Sequence, residues 1–176
     1  QLYHRGQVHR LHLLAANPAA RNLTHLKIHP HNANAWYWNR DLDEPDGYRA
    51  EDGYLPLSVV RPFLRSPHFS QLRHLQLRCS SMGDEGVREL IAHGWLDRLE
   101  TLDLRHGCIT DAGAELLAAQ PALRRLQALD LDRNALTPRG QAALEATGVK
   151  LRASNQQAPE QLADRYGGYL TEGEFE

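Results

Sequence analysis

Three stretches of the chain alternate apolar and polar residues in one frame. Leu72-Arg-His-Leu75-Gln-Leu77, Leu99-Glu-Thr-Leu102-Asp-Leu104 and Leu126-Gln-Ala-Leu129-Asp-Leu131 all read L-x-x-L-x-L, and each begins 27 residues after the one before. The register continues past the leucines. Met82, Ile109 and Leu136 share one offset, Gly86, Gly113 and Gly140 a second, and Leu90, Leu117 and Leu144 a third. Asp84 and Asp111 also correspond, with Pro138 in their place in the third unit. Repetition at a fixed period of this size is the mark of stacked supersecondary units.

The period-two alternation of Leu102-Asp103-Leu104 predicts a short strand with its leucines inward. Asp111 to Ala119 is rich in Ala, Leu and Glu and predicts a helix. Thr110 and Thr137 are placed to cap their helices, and Pro138 falls at a first helical position, where its missing N–H costs little. Each unit is therefore strand, turn, helix and return. One unit cannot bury its leucines, but a stack can. The pattern predicts an α/β, right-handed solenoid of about five coils, with a parallel sheet on its concave face and helices on its convex face. The recurrent glycines let each helix approach the neighbouring coil without a Cβ in the way.

These residues resemble the ribonuclease-inhibitor-like subtype of leucine-rich repeats. The Asp84-Glu-Gly-Val-Arg-Glu-Leu90 and Asp111-Ala-Gly-Ala-Glu-Leu-Leu117 segments are similar to the helices of bacterial members. The resemblance covers Leu72–Leu151. It implies a curved protein-binding scaffold and names no partner. The family's Asn-or-Cys position is Ser80, Gly107 and Asn134 here.

Towards the N-terminus the frame loosens. Leu23-Thr-His-Leu26-Lys-Ile28 predicts a further strand, 49 residues before Leu72, so that coil carries an insertion over 29–55. Leu57 to Leu64 predicts its helix, limited by Pro62. Val8-His-Arg-Leu11-His-Leu13 predicts a fifth strand, joined to Leu23 through 14–22. The expected organisation is an irregular N-terminal coil over 1–22, a repeat with its insertion over 23–71, regular repeats over 72–152, and a C-terminal cover with an acidic tail over 153–176. The first strand shows no cap, so a further N-terminal portion or a partner is expected to cover it.

Composition narrows the function. The formal net charge of -2 and pI near 6.6 give no global basic field for nucleic acid or anionic lipid. No apolar run reaches membrane-spanning length and no signal peptide is visible, so a cytoplasmic location is expected. Cys79 and Cys108, in adjacent coils, read as small buried residues. His29 and His31 form H-x-H with Asp41 and Asp43 following, yet no established zinc spacing appears. No nucleophile elbow, P-loop or dinucleotide fingerprint is present. A non-enzyme without metal or cofactor is expected.

Side chains between the inward leucines point to the open face of the sheet. The central row reads His12, Lys27, Gln76, Asp103, Asp130; the rows beside it read Leu14, His29, Arg78, Arg105, Asp132 and Arg10, His25, His74, Thr101, Ala128. Strands lie about 4.8 Å apart, so each row is a ladder of neighbours. It runs from basic and His-rich to acidic, an arrangement suited to orienting a dipolar partner. The candidate protein-binding residues are Lys27, His74, Gln76, Arg78, Thr101, Asp103, Arg105, Asp130 and Asp132. A second candidate surface is the insertion, with Trp36, Tyr37, Trp38, Tyr48 and Tyr54, because aromatic residues anchor interfaces; the same residues could instead shelter the edge of the core. The expected function is a protein-interaction module, a recognition, scaffold or regulatory part of a larger protein or complex. The alternatives are a regulator of a bound enzyme such as a GTPase or hydrolase, as some similar repeats stimulate small GTPases, and a metal-dependent enzyme using the His-rich insertion.

Overall fold

The computed structural model describes residues 2–5, 10–31 and 55–157, with side chains over 10–28 and 55–157. Among these residues, six strands form one parallel sheet: β1 (Leu2–Arg5), β2 (His25–His31), β4 (His74–Leu77), β6 (Thr101–Asp103), β7 (Ala128–Asp130) and β8 (Leu151–Arg152), in that order. A second, two-stranded parallel sheet joins β3 (Leu55–Pro56) to β5 (Ser80–Ser81). The helices are α1 (Leu11–Ala15), α2 (Leu57–Leu64), α3 (Gly83–Ala92), α4 (Asp111–Ala118) and α5 (Pro138–Glu145). The matching leucines fall in register. Leu26 pairs with Leu75, Leu75 with Leu102, Leu102 with Leu129 and Leu129 with Leu151.

Their side chains meet the buried faces of the helices in one apolar cluster that runs from Leu11 to Val149. Val60, Phe63 and Leu64 enter it from α2, Val87 and Leu90 from α3, Ala114 and Leu117 from α4, and Leu144 from α5. Full burial of one leucine stabilises by roughly 2 kcal/mol. Strands of two to seven residues make few ladder bonds of their own, so the shared interior holds them. A ring cluster closes one part of the core. Phe63 lies 4.7 Å from Phe69 and 5.0 Å from Trp95, centroid to centroid, and the Trp95 indole N–H donates to the Leu64 carbonyl at 2.8 Å.

Successive units are also tied by carboxylates. Asp84 accepts from the Thr110 N–H (2.9 Å), the Thr110 hydroxyl (2.7 Å) and the Gly113 N–H (3.0 Å). Asp111 accepts in the same way from the Thr137 N–H (2.8 Å) and the Thr137 hydroxyl (2.5 Å). Each aspartate thus satisfies the N-terminus of the next unit's helix, while Thr110 and Thr137 cap from within, accepting from Ala112 and Arg139. Burial pulls the Asp111 carboxyl upward, but the Thr137 bonds, Arg139 and the Gly140 N–H together hold it below its ordinary value. A Cβ on Gly113 would lie 2.4 Å from the Asp84 carboxylate, and one on Gly140 2.3 Å from that of Asp111. At Gly113 and Gly140 the glycine is where the preceding unit's carboxylate reaches the helix, whereas a Cβ on Gly86 would meet the Met82 side chain. In the third unit Pro138 stands where the aspartates do, and it starts α5 as the sequence predicts.

Asn134 is fully buried and acts in both directions. Its carbonyl oxygen accepts from the Gly107 and Ile109 N–H groups at 2.9 Å, and its amide donates to Leu104 and Leu131 carbonyls at 3.0 and 3.1 Å. One side chain therefore completes the backbone bonding of two adjacent turns. After β4, β6, β7 and β8 a residue at the strand-exit turn is left-handed, although none is glycine: Cys79 (φ 51), His106 (φ 55), Arg133 (φ 57) and Asn155 (φ 53).

Two N-terminal expectations are corrected. Of the strand expected over Val8–Leu13, Val8 and His9 lie outside the described residues, and Leu11 to Leu13 are helical: they open α1, in which Leu11 and Ala15 are buried one turn apart. The Val-x-x-Leu-x-Leu match is fortuitous, because the same leucines also fit the helical period, and packing against α2 decides for it. His12 and Leu14 consequently leave the open-face rows, as does Arg10, which precedes the helix. The strand beside β2 is instead β1, with Leu2 opposite Ile28. The helix expected over Leu57–Leu64 is α2 with those bounds, but Pro62 lies within it and does not limit it; Phe63 and Leu64 beyond it are fully buried.

Candidate protein-binding face

The outward positions of the sheet form two continuous rows. One runs Lys27, Gln76, Asp103, Asp130, Arg152; the other runs His25, His74, Thr101, Ala128. Arg78, Arg105 and Asp132 follow their strands at the top of the same face. The nine side chains expected from the sequence are thus brought together. The aromatic candidates Trp36, Tyr37, Trp38, Tyr48 and Tyr54 lie outside the described residues, as do most of the insertion and the tail.

The two halves of the face differ. On the β6–β8 side the charges interlock. Arg78 Nε donates to Asp103 at 2.7 Å, and Arg105 reaches the same carboxylate with its backbone N–H (3.1 Å) and guanidinium (3.2 Å). Arg105 also stands 3.6 Å from Asp130, and Arg152 stands 3.8 Å from both Asp130 and Asp132. Asp132 accepts from the Ser154 N–H at 2.6 Å. The acidic end expected from the sequence is met by Arg152, so three arginines alternate with three aspartates. Burial holds the Asp130 carboxyl above its ordinary value; the Asp132 N–H opposes this, and the Asp132 charge adds to it. The wall here is fixed in place and nearly balanced in charge.

On the β2–β4 side the groups are less committed. The His25 and His74 rings stack with centroids 4.0 Å apart. Their Nδ1 atoms lie 2.9 Å from the Thr24 and Thr101 hydroxyls, respectively. His74 Nε2 is 4.0 Å from Glu100. Lys27 is exposed beside them. Among the described residues, no donor reaches the buried Gln76 carboxamide oxygen. Residues 1–31 hold Arg5, Arg10, Arg21 and Lys27 and no Asp or Glu.

Sequence reasoning left two contributors out of the candidate set. Arg152 carried a signal, since Leu151 continues the leucine row. His25 stood in the row, but its stacking on His74 depends on ring orientations that spacing does not reveal. Among the described residues, no group of three or more His, Cys, Asp or Glu could hold a metal ion, and no helix is long and apolar enough to cross a membrane. Cys79 is buried, as expected, whereas Cys108 is half-buried.

Residues 70–90 and 99–118 match the family model described as Leucine Rich repeat. The fold is of the leucine-rich-repeat kind. The chain is similar to a protein of known crystal structure from Bacteroides fragilis, with a TM-score of 0.51 and 25% identity over 57% of this chain. That match spans 29% of the other chain, so this chain corresponds to less than a third of it. No curated protein matches. Leucine-rich repeats generally mediate protein–protein interaction and are typically not enzymes.

Proposed function

We propose that this chain is a protein-interaction module that binds its partner across the open, concave face of the leucine-rich sheet. The observation that carries this reading is the interlocked Arg78–Asp103–Arg105–Asp130–Arg152 ladder on that face. Side chains held by neighbouring strands lose little conformational freedom when a partner docks, and preorganisation of this kind favours affinity. The aspartates and arginines at fixed spacing supply directional contacts, while Thr101 and Ala128 leave room for a partner's side chains. The aromatic insertion is proposed as a second contact, because Trp and Tyr supply large contact area at low entropic cost.

A role as a recognition, scaffold or regulatory part of a larger assembly follows from this reading. The test is affinity capture from native lysate with the wild-type chain and with Thr101→Arg, the fold being checked by circular dichroism. A guanidinium at the centre of the face is expected to abolish capture of any partner that binds there. Full capture by a folded Thr101→Arg variant refutes the reading.

A further inference from the structure

We propose that the β2–β4 part of this face docks an acidic polypeptide segment of the partner, through Lys27, the stacked pair His25 and His74, and Gln76. The inference rests on the reading of the open face as the protein-binding surface and names the chemistry of what binds there. Three observations carry it.

The first is the contrast between the two halves. Arg78, Arg105 and Arg152 are matched by Asp103, Asp130 and Asp132, which lie within ion-pairing reach. Lys27 is exposed and has no ion pair among the described residues, and residues 1–31 contain no acid. Among the described residues an incoming carboxylate displaces no partner at Lys27, whereas at Arg78 it competes with a bond of 2.7 Å. Acidic groups are therefore drawn to one end of the face, which also sets the direction in which a segment lies.

The second is Gln76, opposite Lys27 on one side and Asp103 on the other. Its carboxamide oxygen is buried with no donor among the described residues. A buried acceptor without a partner is an unmet cost, and rotation of the amide towards a ligand N–H removes it. The ligand must then offer an N–H as well as negative charge. A peptide backbone provides both beside acidic side chains, whereas a phosphodiester backbone carries no donor. The adjoining Asp103 carboxylate also repels a continuous polyanion.

The third is the stacked imidazole pair. Both Nδ1 atoms are engaged by threonine hydroxyls, which fixes the rings and leaves the two Nε2 atoms as the remaining polar groups. His74 Nε2 already lies 4.0 Å from the Glu100 carboxylate. A carboxylate on the partner would meet the same chemistry at His25.

The experiment is fluorescence anisotropy at low salt with the full chain. The probes are a labelled Asp/Glu-rich peptide, a composition-matched Lys-rich peptide, a Ser/Gly/Gln-rich neutral peptide and a single-stranded oligonucleotide with the charge of the acidic peptide. The acidic peptide is expected to bind and the Lys-rich one not. Lys27→Glu and Gln76→Ala are each expected to weaken acidic-peptide binding by about fivefold or more. Arg124→Glu makes the same charge change as Lys27→Glu at an exposed position off the sheet, and it should leave affinity within about twofold. Equal losses from Lys27→Glu and Arg124→Glu would reduce the binding to general electrostatics and overturn the proposal. Oligonucleotide binding as tight as the peptide's, and equally sensitive to Lys27→Glu, would overturn the choice of polypeptide. If only the neutral or Lys-rich peptide binds, and Thr101→Arg abolishes that binding, the acidic inference fails while the protein-binding reading stands. No binding of any peptide also counts against the proposal, and Thr101→Arg capture then decides the broader reading separately.

Discussion

The carboxylate of Asp84 lies over Gly113 of the next unit and accepts its backbone N–H at 3.0 Å. The space a Cβ would take is the space the carboxylate fills. Gly113→Ala puts that carbon 2.4 Å from the Asp84 oxygen and 2.7 Å from Ile109 Cγ2. Alanine's better helix propensity returns under about 1 kcal/mol, against a clash of about 2–3 kcal/mol. Net destabilisation by roughly 2 kcal/mol is expected in urea denaturation. The Asp84→Ala/Gly113→Ala double variant should lose less than the sum of the two single changes, because the clash and the cap share one oxygen.

The Asn134 side chain sustains five backbone bonds from a fully buried position. Asn134→Ala leaves the Gly107 and Ile109 N–H groups buried and unbonded. Each such group costs about 1–3 kcal/mol, so a loss of about 3 kcal/mol or more is expected, measured as a lower denaturation midpoint. Asn134→Asp should not rescue, since an ionised carboxylate cannot donate to the Leu104 and Leu131 carbonyls.

Glu89 on α3 accepts from Arg65 at 2.6 Å and from Arg61 at 2.9 Å. The Arg65 hydrogen bond, helped by Arg61 and opposed by burial, lowers the carboxyl to about 2. The folded value lies below the unfolded one, so this stabilisation is present above the ordinary glutamate range and is lost as pH falls towards 2. Glu89→Gln is expected to cost about 2 kcal/mol at pH 7. It should also make stability fall less steeply below pH 5. A parallel decline for wild type and variant between pH 5 and 2 would contradict this.

On the open face the aspartates should differ. Arg78 donates to Asp103 at 2.7 Å with its side chain 11% exposed, and removing that carboxylate as Asp103→Ala should cost about 3 kcal/mol. Asp130→Asn should cost under about 1 kcal/mol at pH 7, because burial already disfavours that charge. Its raised folded value means the native state gains stability as pH falls through that value, and the asparagine variant should lack the gain. Urea denaturation at pH 7 and pH 4 separates the two. Asp130→Asn is therefore the cleaner probe of binding.

The sequence made the repeat legible because the leucine columns and Gly86, Gly113 and Gly140 hold one period, and the structure brings those columns into register. The capping threonines and Pro138 were equally readable, since capping chemistry is local. The aspartate bridges were visible only as a recurring residue, because their partners sit one unit away. The strand expected over Val8–Leu13 fails at Leu11 and Leu13, where two periods fit the same leucines. Nothing in Leu2–Arg5 marks β1. The rows of the open face followed from alternation, but the pairing of Arg78 with Asp103, and of Arg152 with both Asp130 and Asp132, depends on side-chain reach across strands.

The most direct test of the account is site-specific photo-crosslinking in native lysate. A photoreactive amino acid replaces Gln76 on the sheet or Arg88 on the exposed side of α3, and adducts are resolved by size. The account expects a discrete protein adduct from position 76 and none from position 88. An adduct from position 88 alone would mean that the partner binds the helices, and the open face would lose its assigned role.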